Sequence, residues 1–246
     1  MARGSLAVRA AAGRATPPPA PPATAPRRTQ TQRREEAERR LLDAALAIVA
    51  RTGTVRLTLA EVGAAAGYSR GLATHRFGNK VGLLRALAAH INTRFHEQLR
   101  AAPPRKDGLD AIRGNIRVYF GRTDRTWTTT RALLVMMTEG MMEDAELKSD
   151  MAAYNRTALA FFESHIRIGI DQGEIGAATD VQATAVLLLG ALRGIMLQWL
   201  LDERIDLARA RDRLLAMLEQ LLAPAAPAAL RRRIKRGSGV SRSAAA

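Results

Sequence analysis

Arg70, Gly71, Thr74 and His75 fall at intervals that place them on one face of a short helix. These residue types suit a DNA major groove. Arginine can pair with guanine edges or phosphate, glycine allows close approach, and threonine and histidine can reach phosphates or bases. Lys80, at the start of the next helix, adds a cation beside backbone N–H groups that already favour a phosphate. Thr58 and Ser69 each precede a short helix as hydroxyl caps and complete the DNA-contacting set.

Other chemistries find less support. The histidines at positions 75, 90, 96 and 165 show no metal-binding spacing and no companion carboxylates. Gly63, Gly67 and Gly71 superficially suggest a phosphate loop, but no strand precedes them and no Gly-Lys-Ser/Thr follows. With no cysteine there is no thiol nucleophile or thiolate metal site, a composition that fits a reducing cytoplasm. No carboxylate pair or Ser/His/Asp set stands above chance. No metal and no cofactor are expected, and an enzyme on a helical bundle is the weaker alternative.

The elements that must hold this set are helical. Apolar residues make up 47% of the 246, aromatics only 4%, so the content is Ala and Leu and the expected class is all-α. About nine helices are expected. The first spans about 35–51, with Leu41, Leu42, Ala45, Leu46 and Val49 on one face and Gly53 closing it. Thr58 and Glu61 suggest a capping box opening a helix through about Ala66, and Gly67-Tyr68-Ser69 a tight turn before a helix through about Phe77. Small residues (Gly63, Ala66) let the pair approach as a helix-turn-helix. Asn79 caps a long fourth helix that Pro103-Pro104 ends, and five more are expected near 107–121, 126–141, 145–172, 180–202 and 206–222.

Charge divides the chain further. Of the net +15, thirteen charges lie in two acid-free ends, residues 1–34 with seven Arg and residues 223–246 with five Arg and one Lys. Residues 35–100 carry +4 and residues 101–222 carry −2, so a polyanion partner is expected for the N-terminal third. The expected organisation is a disordered Pro/Ala/Arg arm over 1–32, a DNA-binding domain over 33–100, an effector-binding and dimerisation domain over 105–222, and a disordered basic tail over 223–246. The tails also leave open a nonspecific architectural DNA binder, marked by strong salt dependence without sequence choice. The one membrane-like segment, residues 183–201, contains Arg193, which at a bilayer centre costs about 2.5–3.5 kcal/mol. A buried helix is the reading taken, with no membrane partner. Its apolar residues run nearly all round, more than one monomer covers, which suggests a homodimer through this helix and the next.

The helix-turn-helix in this setting resembles the TetR family of bacterial transcriptional regulators. The residues carrying the resemblance are Thr58-Leu59-Ala60-Glu61-Val62-Gly63, Ala66-Gly67-Tyr68-Ser69, Gly71 and His75-Arg76-Phe77-Gly78-Asn79-Lys80. Thr74 stands where the family usually has an aromatic, and Ala73 where it has a larger aliphatic, with Tyr68 placed to fill the space. The resemblance implies a repressor released from a double-stranded operator by a small-molecule effector. It places the effector pocket among the helices spanning 107–172. Candidate lining residues there are Phe120, Trp127, Leu134, Met137, Met141, Tyr154 and Phe161, with Glu139 and Arg131 as candidate polar groups. Methionine suits such a pocket because it adapts to irregular apolar shapes.

Overall fold

The computed structural model describes residues 29–121, 127–142 and 146–224, and the expected disordered ends lie almost entirely outside them. Nine helices and no strand occur among the described residues. They are α1 (Gln30–Thr52), α2 (Leu59–Ala65), α3 (Arg70–Phe77), α4 (Lys80–Ala101), α5 (Leu109–Phe120), α6 (Thr128–Glu139), α7 (Lys148–Asp171), α8 (Val181–Leu201) and α9 (Leu207–Leu222).

Local caps explain most of these starts. The side chains of Thr58, Ser69, Asn79, Asp180 and Asp206 each accept a hydrogen bond from the backbone N–H three residues on. At Thr58 the described bond is the hydroxyl half of the expected box. The full reciprocal box lies at Thr29, whose hydroxyl accepts from Gln32 N–H while Gln32 Oε1 accepts from Thr29 N–H. That box starts α1 at Gln30, five residues ahead of the expected Glu35 and inside the stretch expected to be disordered.

Three helices, α5, α6 and α7, have no side-chain cap of their own. The N-cap position of α5 is Gly108, and the α5 amides are satisfied from the end of α7 instead, Leu109 N–H donating to Glu174 Oε2 at 3.0 Å. Gly173 (φ +73°) turns the chain there, and Ile175 is driven into the core against Gly169. At the start of α6, Trp127 adopts a left-handed backbone (φ 50°), unusual for a bulky residue. Its ring packs on Trp199 of α8 at 5.6 Å, so tertiary contact rather than a cap sets this helix start.

The apolar core forms two clusters, and their division is not that of the chain order. One joins α1 to α4 and continues into Ala132, Leu133 and Met136 of α6 and Leu147 and Met151 around the start of α7. The other packs α5, the middle of α7, α8 and α9. The N-terminal four helices thus share a hydrophobic core with the segment expected to belong wholly to the second domain. A polar lock sits on the same seam. Glu139 accepts from Thr54 N–H at 3.1 Å and from the Thr54 hydroxyl, in the turn that leads from α1 to α2.

α8 is buried along one side only in the single chain. It buries Thr184, Ala185, Leu188, Leu189, Leu192 and Met196, while Leu187 and Leu201 are 63% and 76% exposed. It is the one described helix long and apolar enough to cross a membrane, yet one side of it is core.

Removing the Glu139 carboxylate leaves the buried Thr54 N–H and hydroxyl without their acceptor, a loss of about 1–3 kcal/mol. Glu139→Ala is therefore expected to lower the thermal midpoint by several degrees, measured by circular dichroism. An unchanged midpoint would show that the seam does not depend on this bond.

Candidate nucleic-acid interface and ligand cavity

The geometry of the helix-turn-helix rests on one close approach and one left-handed turn. A Cβ at Gly63 of α2 would lie 2.9 Å from Ser69 O, so only glycine lets α2 press on the turn. Gly67 holds φ +76°, the left-handed conformation that the turn requires. Sequence reasoning missed a second close approach. Gly82, in the first turn of α4, lies so near the Phe77 carbonyl that a Cβ would come to 2.1 Å. A glycine three residues after a cap-type Asn is the signal that could have found it.

The inward side of α3 is fixed by Ala73, which is fully buried, and by Leu72 and Phe77 packed on the first core cluster. Tyr68 packs against that same cluster. Arg76 anchors the helix to α1, its Nη2 donating to Arg34 O at 2.9 Å and its Nε lying 3.4 Å from Glu38. With those residues turned in, Arg70, Gly71, Thr74 and His75 are all exposed together on the opposite face. A Cβ at Gly71 would meet only Ser69 Oγ at 3.7 Å, so no protein neighbour requires glycine there.

The other candidate contacts already have structural partners. The Thr58 and Ser69 hydroxyls accept capping bonds and keep their protons for an outside acceptor. Lys80 Nζ donates to Val55 O at 2.9 Å, tying the start of α4 to the turn ahead of α2. Its ammonium has two further N–H donors.

A cavity of about 90 Å³ lies among α4, α5, α6, α7 and α8. Of the candidate ligand residues, Tyr154 and Phe161 line it. The other five do not. Phe120 is buried edge-on against Tyr119, Trp127 is on Trp199, Leu134 packs on the second cluster and Met137 on the first. Met141 lies beyond the end of α6 and is 72% exposed. Neither polar candidate lines it: Glu139 caps Thr54, and Arg131 lies 3.9 Å from Glu203.

Wall residues that sequence reasoning did not place there include Phe95 of α4, Asn115 and Tyr119 of α5, Thr130 of α6, and Leu192 and Arg193 of α8. The Arg193 guanidinium donates to Asn155 Oδ1, and burial pushes its pKa below the ordinary arginine value, opposed by the nearby Tyr119 and Tyr154 phenols. The only early signal was a lone Arg in an apolar run, which demands a partner but does not name one.

Comparison with known proteins then assigns the chain. Residues 41–87 match the model described as bacterial regulatory proteins of the tetR family, and residues 108–223 match that of the C-terminal domain of BetI-type transcriptional repressors. The chain belongs to the TetR family. Its members are transcriptional regulators rather than enzymes. A BetI regulator of Paraburkholderia xenovorans is 29% identical over 110 residues, 44% of this chain and 56% of the relative, so the match spans little more than half of that protein. A probable regulator, ArpR of Pseudomonas putida, is 26% identical over 70% of this chain and 85% of its own length. Among solved structures, the complex of SmeT with triclosan is 27% identical, covers 74% of this chain and 91% of SmeT, and superposes with a TM-score of 0.59. SmeT is the repressor of a Stenotrophomonas maltophilia multidrug efflux pump.

The two glycine contacts separate fold from surface. Gly82→Ala is expected to cost about 1–3 kcal/mol of stability because the Phe77 carbonyl must move, whereas Gly71→Ala leaves the thermal midpoint nearly unchanged. Thermal denaturation of both variants checks the contrast, and equal midpoints would contradict it.

Proposed function

We propose that this protein is a homodimeric transcriptional repressor of the cytoplasm that leaves its operator when a small molecule enters the cavity. The observation that carries this reading is the path of one helix. α4 begins beside the exposed face of α3, with its first turn pressed on Phe77, and ends as a wall of the cavity through Asn92, Phe95, His96 and Leu99. A ligand that shifts the far end of α4 moves the base of the recognition helix with it, because a helix transmits displacement along its axis. The complex of SmeT with triclosan supports a small-molecule effector for a related repressor.

In this reading Arg70, Gly71, Thr74 and His75 face the major groove, and Thr58, Ser69 and Lys80 hold phosphates. If Arg70 pairs with guanine through two bonds, Arg70→Ala costs about 1–3 kcal/mol on the operator and relaxes choice at one position per half-site. Lys80→Ala weakens operator and shuffled DNA alike and lowers the salt slope by about one unit. Titrations on both DNAs at two salt concentrations test the split. Silence of Arg70→Ala on both, with the fold intact, would overturn the assignment of the groove face.

A second copy covers the open side of α8 and α9. The exposed residues Leu187, Leu197 and Leu201 form an apolar stripe with Gly190 and Gly194 between them, and Met217 and Leu221 continue it on α9. A Cβ at either glycine meets nothing within 4 Å in the single chain, so these positions are open to a partner helix. Four such helices would bury the stripe around a two-fold axis. Sedimentation at micromolar concentration is expected to give twice the chain mass, and Gly194→Leu to shift it to one without loss of helicity. A wild-type mass of one chain would refute the dimer.

A further inference from the structure

We infer that the cavity selects an amphipathic anion, a carboxylate-class head bound by Arg193 with a compact apolar or aromatic body. This inference rests on the ligand-controlled reading above and adds the charge of the ligand.

The cavity wall contains no Asp or Glu, and no carboxylate among the described residues pairs with Arg193. The one described hydrogen bond of its guanidinium is to the neutral amide oxygen of Asn155, out of the five donors that arginine carries. A half-buried guanidinium without a counter-charge is costly, and burial already works against its charged form. An anion on the cavity side relieves that cost and gains charge-assisted, two-pronged hydrogen bonds. A second group points the same way. Thr130 is 1% exposed, lies on the wall, and its hydroxyl has no hydrogen-bond partner among the described residues, so it can donate to a ligand oxygen.

The rest of the wall sets the body. Phe95, Phe161, Phe162, Leu133 and Leu192 provide apolar surface, and the volume of about 90 Å³ suits a single ring or a short chain. Aromatic walls of this kind also suit a quaternary ammonium through cation–π attraction. Here Arg193 opposes that ligand, since a fixed positive charge would sit beside it.

The test uses the full-length protein and three matched single-ring probes: benzoate, benzamide and trimethylphenylammonium. Calorimetric titration is expected to show the carboxylate binding at least tenfold more tightly than the amide, with the ammonium weakest. Arg193→Gln should bring carboxylate and amide together while Arg193→Lys keeps most of the preference, and Ala158→Trp, which fills the cavity, should abolish binding of all three. The wild-type ranking stands even if a variant fails to fold. Tighter or equal binding of the ammonium or the amide, no binding of the carboxylate, or a preference that survives in folded Arg193→Gln would each overturn the proposal. Operator binding is measured alongside. Release by the ammonium without any carboxylate binding would sink the anion site and leave ligand control standing. Carboxylate binding at Arg193 with no effect on the operator would keep the anion site and sink ligand control.

Discussion

Everything in this molecule depends on the seam between α1 and α6. A helix-turn-helix of two short helices buries too little surface to hold its own shape, and here its core is completed by Ala132, Leu133 and Met136 from a helix that begins about fifty residues downstream. Leu133 has a double position, since it belongs to that core and also lines the cavity. The recognition face and the cavity are therefore not modules joined by a hinge. They are two ends of one packed body, in which interiors transmit displacement because they are close-packed.

That arrangement also explains which sequence expectations failed. Caps and turns are local chemistry, and Ser69, Asn79, Asp180 and Asp206 mark helix starts in the sequence as they do in the structure. Thr29 has the same chemistry, but six prolines and a run of arginine nearby suggested disorder and hid the box with Gln32. Periodicity identifies an apolar face but not the surface it meets. Met137 and Glu139 were therefore both assigned to the cavity although they face the seam, and Met141 although it is solvent-exposed.

The cavity was the least legible part for a related reason. Its wall draws a few residues from each of five helices, and none of the five carries a local signature of a pocket. Arg193 was conspicuous because charge is rare in so apolar a run, yet its partner, Asn155, lies 38 positions away and is neutral. The face of α3 was legible by contrast, because all four of its outward residues lie within six positions and their glycine turn sits directly ahead. Contiguous sites can be read from a sequence, and sites assembled by packing cannot.

The tilted pair of Trp127 and Trp199 has a practical consequence. These are the only two tryptophans in the chain, and they lie 5.6 Å apart where the start of α6 meets α8. Thr130 on the cavity wall is one helical turn from the first of them. Tryptophan emission from this protein thus comes from a single spot beside the cavity, with no contribution from α1 to α4. Such a signal reports the α6–α8 junction without labelling, and it is blind to events confined to the exposed face of α3.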